Sequence, residues 1–323
     1  MKNFEGIYAI PLRQYIDFKR SLGYKFKSAE YTYHSFDQFT IQNGETELGI
    51  TKSLADKWSL KRPNESDNTR YKRVMYLIHF ADFLNDSGYN SFIPRLPRSY
   101  QSTFTPYIFS HNEISTIFSE SDCFEMTNLM NSVVNAIPAI FRLMYGTGIR
   151  ISEVVNLKIK DVNLYDQYLI IKESKNEKER MIPFSDSVAE VCKQYRSSLH
   201  IIQNPEDHFF VKRNGHSCNA KTIYEWFRKT LRAAGIPHGG RGHGPRLHDL
   251  RHTFCVHSLC AMAESGLDLY YSLPVLSEYL GHQSLDATDK YVRLTAEMYP
   301  ELLNDMNKIC SFAFPEVKYH ETD

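Results

Sequence analysis

The chain has 323 residues, 42% of them hydrophobic and 24% charged, and its 38 Lys+Arg balance its 38 Asp+Glu. That length suits two domains of ordinary size, and the composition excludes a disordered or fibrous chain. Zero net charge supplies no overall basic excess for gripping phosphates; residues 1–100 carry 15 Lys+Arg against 11 Asp+Glu, hence +4, which leaves −4 for residues 101–323. The start, Met1 to Glu5, is charged, and no apolar run approaches the roughly 20 residues that cross a bilayer. Neither a signal peptide nor a membrane span is read, and a cytoplasmic location is expected. Six cysteines (Cys123, Cys192, Cys218, Cys255, Cys260, Cys310) lie apart without a CxxC pair. Buried free thiols are therefore expected rather than a zinc knuckle or a disulfide framework.

In chain order, Leu12, Tyr15, Ile16 and Leu22 fall on one helical stripe, closed by Gly23. A second helix is expected over about Tyr31 to Ile41 and a short third over Ser53 to Leu60. A fourth, capped by Asn68 or Thr69, turns Val74, Leu77, Ile78, Ala81 and Leu84 inward and ends at Gly88. Pro94, Pro97 and Pro106 fall within thirteen residues, which no helix interior accommodates. The reading is a helical N-terminal domain over 1–93, a linker over 94–110 and a second domain over 111–323. The second domain is mainly helical, with two β-leaning runs, Tyr168–Ile171 and Arg180–Phe184, joined by a charged turn into a small antiparallel hairpin. The expected fold class is mainly α, in two domains, with a small antiparallel sheet in the second.

The informative pieces of the second domain are Gly146-Thr147-Gly148-Ile149-Arg150-Ile151-Ser152-Glu153, then Lys175, His248-Asp249-Leu250-Arg251, Leu280-Gly281-His282 and Tyr291. Taken singly each is bland: with 21 tyrosines and 13 histidines in the chain, an isolated Tyr or HxxR pair reads as packing or as a solvated helix face. Gly281 by itself reads as a helix cap. Five pieces in this order, with a tyrosine nine residues after the last histidine, make a specific conjunction. In that conjunction the chain resembles the tyrosine recombinases (phage integrases) from about Met144 to Leu294, with a weaker likeness in the N-terminal helices.

Attack of a phenol on a phosphodiester builds negative charge on a pentavalent phosphorus, which fixed cations must stabilise. Arg150 and Arg251 suit that task as forked donors that stay protonated, so neither a metal nor a cofactor is expected. The phenol of Tyr291, ordinarily of pKa about 10, must lose a proton, and the leaving oxygen must gain one. His248 stands three residues before Arg251, placing both on one helical face. By resemblance Tyr291 is the nucleophile, His248 assists as a base and His282 hydrogen-bonds a phosphate oxygen. Lys175 is the general acid, chosen over Lys172, Lys178 and Arg180 because the family pattern Lys-x-x-Lys-x-Arg-x-x-Pro matches Lys175, Lys178, Arg180 and Pro183. Glu153 supports Arg150 from one helical turn away. A phosphotyrosine conserves the energy of the broken strand, and no GxxxxGK[ST] or GxGxxG segment accompanies it.

The resemblance implies cutting and rejoining of double-stranded DNA at an inverted-repeat site through a covalent 3′-phosphotyrosine, with the DNA held between two domains. Residues 296–313, with Met298, Leu302, Leu303, Met306, Ile309 and Cys310 in a helical stripe, would be donated to a neighbour in a homotetramer, against the plainer reading of packing on their own domain. In the N-terminal domain Arg70, Lys72 and Arg73 either contact phosphates or form a solvated face. Asn176-Glu177 in the hairpin, a long segment between Arg251 and His282, and the neutral charge depart from the family pattern. The extra length falls in 266–274, which resembles transposon-encoded integrases. A type IB topoisomerase-like enzyme and an idle DNA-binding regulator of the same fold stand as alternatives.

Overall fold

The computed structural model describes residues 3–98, 105–124, 130–172, 179–199, 201–240, 244–281, 291 and 294. The chain divides into two compact units, Met1–Phe104 and Thr105–Asp323. Lys175, Asn176, Glu177, Lys178, His282 and the stripe over 296–313 lie outside the described residues.

The first unit holds α1 (Ala9–Ser21), α2 (Lys27–Gln42), α3 (Lys52–Ser59) and α4 (Asp67–Asp86). Leu12, Tyr15 and Ile16 are buried as their spacing predicts, but Leu22 is exposed because the helix ends at Ser21. Gly23 follows at φ 87°, a left-handed conformation that closes a helix without a Cβ penalty. α2 begins four residues before the expected Tyr31, after Phe26 at φ 48°. The N-cap of α4 is Ser66, whose side chain accepts from the Thr69 backbone N–H at 3.1 Å, rather than Asn68 or Thr69. Val74, Leu77, Ala81 and Leu84 are buried, with Phe80 in place of the half-buried Ile78. An aromatic core fills the bundle: Tyr15 meets Tyr33 edge-on at 5.7 Å, and Phe36 meets Trp58 edge-on at 5.1 Å. The buried Asp37 carboxylate ties down the N-terminal segment by accepting the backbone N–H groups of Glu5 and Gly6 at 2.8 and 3.0 Å.

Arg73 corrects a sequence expectation. Its side chain is turned inward, donating to the carbonyls of Trp58 and Leu60 and pairing with Glu65 through two nitrogens. At 4% exposure it is a structural clasp and not a phosphate contact. Arg70 is half-buried and donates to the Ser59 carbonyl at 2.9 Å, and Lys72 is exposed.

The second unit is organised on α6 (Ile137–Thr147), where Ile137, Ala139, Ile140, Phe141, Leu143 and Met144 are all buried. A helix apolar over most of its circumference must be enclosed. Around it pack α5 (His111–Asp122), α8 (Asp186–Ser197) and α10 (Asp249–Glu264), with α7 (Ile151–Asn156) continuing beyond its end. α9 (Ala220–Ala233) packs on α5 and α7, and α11 (Leu269–Leu280) on α10. Phe109, within the expected linker, is fully buried here and its backbone N–H donates to Thr253 Oγ1 of α10 at 3.0 Å.

The expected hairpin is one edge of a three-stranded antiparallel sheet of β1 (Val162–Asn163), β2 (Tyr168–Ile171) and β3 (Arg180–Pro183), in that order. Leu169 pairs with Ile182 and Ile171 with Arg180. Two residues are too few for an alternating pattern, so β1 left no signal in the sequence. Cys192, Cys218, Cys255 and Cys260 are buried free thiols as expected, whereas Cys123 is exposed. Among the described residues no helix is long and apolar enough to cross a membrane.

Candidate active site

The site forms where the end of α6, the starts of α7 and α10, the end of α11 and strand β3 meet. α6 closes at Gly148, whose φ of 62° requires a left-handed residue. A Cβ there would stand 2.4 Å from the ring of Phe254. Glycine is needed twice over, for the turn and for the close approach of α10. The turn leaves Arg150 extended at the N-cap of α7, where its backbone N–H donates to Glu153 Oε2 and its Nη1 to Glu153 Oε1, both at 2.9 Å. Glu153 thus caps the helix and holds the arginine with the same carboxylate.

Arg251, on the first turn of α10, is 1% exposed. Its Nη1 donates to the Gly148 carbonyl at 2.6 Å and its Nη2 to the Leu280 carbonyl at 2.9 Å. Arg150 Nη2 reaches the carbonyl of Gly281 at 3.4 Å. The two arginines therefore clasp the end of α11 from separate elements, directly before His282. Burial and the nearby charge of Arg150 both lower the pKa of Arg251. The strain of like charges is relieved in part by Glu153, whose carboxyl is pushed up by burial but held below its ordinary value by Arg180 and Arg150.

Arg180 of β3 completes the clasp. Its Nη1 and Nη2 donate to the two Glu153 oxygens at 3.2 and 2.9 Å, and its Nε to the Tyr279 carbonyl at 3.2 Å. Gly281, at φ 65°, leaves room for it: a Cβ there would come 3.1 Å from Arg180 Nη1. Lys172, the other described rival for the hairpin acid, is occupied by Asp161 at 2.6 Å. Arg150 and Arg180 thus share the Glu153 carboxylate, and Arg251 stands on the Gly148 and Leu280 carbonyls beside them, an excess of positive charge suited to a phosphate.

His248 is the N-cap of α10, and the Arg251 backbone N–H donates to its carbonyl at 3.0 Å. The residue is exposed. Its imidazole is nonetheless pushed down to about 4, by desolvation against the packed walls and by the charges of Arg251, Arg150 and Arg246. Of these causes, the guanidinium charges are the part that a nearby anion offsets. Tyr291 is 5% exposed. Burial and the neighbouring Cys255 raise its pKa, while Arg251 and Arg150 act to lower it. Its hydroxyl lies 2.8 Å from Nδ1 of His252, the residue after Arg251, and the His248 ring meets the His252 ring edge-on at 4.8 Å.

The fold therefore gathers Arg150, Glu153, His248, Arg251 and Tyr291 into one site and leaves Arg70, Lys72 and Arg73 in the other unit. Sequence reasoning assigned no role to His252, or to Arg180 beyond a rival for the acid. A signal for His252 was present: it follows His248 by four residues, one helical turn and the same face.

The family model for the phage integrase family matches residues 109–298, which include this whole site. The chain belongs to the phage integrase family. The recombinase is 28% identical over 314 residues to the putative integrase/recombinase y4rB of Sinorhizobium fredii, an alignment covering 92% of this chain and 96% of that one. It is 30% identical over 229 residues to tyrosine recombinase XerC of Staphylococcus carnosus, covering 69% and 70%. Among solved folds, the Tn1549 transposon integrase in complex with a circular intermediate DNA superposes with a TM-score of 0.63 at 18% identity, over 87% of this chain and 94% of that one. The enzyme is a tyrosine-type site-specific recombinase with a mainly helical fold and a small antiparallel sheet, as the motif order implied.

Proposed function

We propose that the recombinase cuts and rejoins double-stranded DNA at an inverted-repeat site, one strand at a time, with Tyr291 forming a covalent 3′-phosphotyrosine. The observation that carries this reading is the cluster that sets the Tyr291 hydroxyl 2.8 Å from His252, the residue after Arg251, while Arg251 and Arg150 share the end of α11 through the Leu280 and Gly281 carbonyls. Arg150 is the more open of the two, with 24% of its side chain exposed, and is the first to meet a non-bridging phosphate oxygen. Arg251 would exchange a carbonyl partner for the second oxygen as the transition state forms. The charge that develops there is matched by guanidiniums already gathered in the site, Arg251 giving up one of its two carbonyl bonds in exchange.

Glu153 is a positioning residue that keeps Arg150 directed by a backbone and a side-chain bond. Lys175, by family likeness, delivers the proton to the leaving 5′ oxygen, and His282 hydrogen-bonds a phosphate oxygen. Transfer to tyrosine conserves the bond energy, so a second DNA hydroxyl reverses the step without ATP. The first unit is proposed to grip DNA through exposed cations such as Lys72, with Arg70 beside it. Four protomers would assemble on the DNA through the segment over 296–313, and the enzyme would work in the cytoplasm.

The decisive experiment is capture of SDS-resistant protein–DNA adducts on DNA flanking the protein's own gene, for the native enzyme and Tyr291→Phe, with the trapped ends sequenced. Adducts that require Tyr291 and cluster at one inverted repeat are expected. Dispersed Tyr291-dependent cleavage would favour relaxation of a topoisomerase type, and equal or absent adducts would remove Tyr291 as nucleophile.

A further inference from the structure

We propose that His252 accepts the phenolic proton of Tyr291 through Nδ1 during attack, with Asp249 behind Nε2 favouring the tautomer that can receive it. The inference rests on the strand-exchange reading above and differs from the family expectation that gives the base to His248. The tyrosine hydroxyl and His252 Nδ1 are 2.8 Å apart, within the reach a general base requires. The two rings are tilted by 44° with centroids 5.6 Å apart. On the far side of the same imidazole, Nε2 lies 4.0 Å from Asp249 Oδ1.

At 4.0 Å the Asp249 carboxyl is too far for a hydrogen bond to Nε2 and acts on the imidazole only through its charge. A proton on Nε2 faces the carboxylate and leaves the Nδ1 lone pair toward the phenol. Asp249 is itself held: its Oδ2 accepts the Arg246 backbone N–H at 2.7 Å and its Oδ1 lies 3.4 Å from Arg246 Nη2. His248 is placed differently, packing edge-on against the ring of His252. Among the described residues, the groups that bear on the pair include His248, Asp249 and Arg246 around the imidazole, and Cys255, Arg251 and Arg150 around the phenol. A tyrosine only 5% exposed ionises poorly in advance of reaction, so removal of its proton has to accompany attack.

The step balances. The Tyr291 O–H bond breaks toward His252 Nδ1 while Oη bonds to phosphorus. The P–O5′ bond then breaks, and the leaving oxygen takes a proton from the hairpin lysine. The imidazolium formed faces the Asp249 carboxylate. In rejoining, the 5′ hydroxyl gives its proton back to the hairpin lysine as its oxygen bonds to phosphorus, the P–Oη bond breaks, and His252 returns its proton to the departing tyrosine oxygen.

The test uses the full-length enzyme and a duplex bearing the cleavage sequence mapped with native protein, as the natural phosphodiester and with sulfur in place of the bridging 5′ oxygen. A thiolate leaves without protonation, since a thiol pKa is about 8.5. Loss of the acid is therefore masked by the sulfur substrate, whereas loss of the base is not. His252→Gln is expected to slow cleavage of both substrates by about 100-fold or more and to leave DNA affinity unchanged. His252→Ala, a second variant should the first fold poorly, is expected to regain rate with added imidazole. Cleavage within about threefold of native on both substrates would overturn the proposal, as would a defect that sulfur abolishes. If native enzyme gives no Tyr291-dependent adduct, the strand-exchange reading falls first and this inference with it.

Discussion

The carbonyl oxygen of Gly148 accepts a 2.6 Å hydrogen bond from Nη1 of Arg251, a residue 103 positions later in the chain. Through this contact the turn that positions Arg150 and the helix that carries His248, Arg251 and His252 become one object. The Leu280 carbonyl on the other arm of the same guanidinium adds the end of α11. Arg251 therefore ties together the elements that form the candidate site.

Gly148→Ala tests that relationship. The substitution forces a Cβ onto a left-handed residue and against the Phe254 ring at 2.4 Å. A loss of about 2 kcal/mol or more is expected, read as a lower midpoint in thermal or urea unfolding. Adduct formation should fall further than the lost stability explains, because the Arg251 anchor moves with the turn.

Arg73 and Lys72 are neighbours in sequence with opposite fates. Arg73→Ala strands the buried Glu65 carboxylate, whose side chain is 6% exposed, and should cost about 3 kcal/mol or more in urea unfolding. Lys72→Ala should leave unfolding unchanged and reduce the slope of log affinity for DNA against log salt by about 1. The reverse pattern would return Arg73 to the DNA surface.

Glu153 sets an acid limit. Its carboxyl is held below the ordinary value in the folded chain, so the unfolded chain takes up its proton first as pH falls. The stabilisation is complete above the ordinary carboxylate pKa of about 4.5 and is lost as pH falls through the lower folded value. Glu153→Gln should remove this part of the acid dependence. At neutral pH it should slow cleavage, because Arg150 and Arg180 lose their shared anchor.

His257 acts over a higher window. It is 8% exposed, lies 2.8 Å from the Tyr145 hydroxyl through Nδ1 and stacks on His111 with centroids 4.0 Å apart. Burial, then the His111 charge, push its pKa from 6.5 down to about 4. The neutral ring is favoured by folding, so its contribution is whole above pH 6.5 and declines toward pH 4 as the unfolded chain protonates. The limiting loss is about 3 kcal/mol. His257→Gln should flatten unfolding free energy across that window, measured by urea titrations at successive pH values.

Local pattern revealed most of the helices, because an apolar stripe at helical spacing has one stable use. It failed at their ends. Leu22 continued the stripe past the last helical residue, and Ser66 took the cap from Asn68 and Thr69 because only its side chain was placed to reach the Thr69 N–H. The two-residue β1 was too short to leave a pattern. In the site, the residues tied to fixed spacings were legible, whereas Arg180 and His252 needed partners 27 and 39 residues away.

The sequence by itself determined the order and spacing of the motifs, and through them the resemblance to the tyrosine recombinases that the family match bears out. Tertiary structure alone decided their partners. It buried Arg73 as a clasp, made Glu153 the shared counter-charge of Arg150 and Arg180, and set His252 rather than His248 against the Tyr291 hydroxyl. The physical reason is that a side chain's identity states what it can donate or accept. Only packing, by bringing distant turns and helix ends to within about 3 Å, decides with whom.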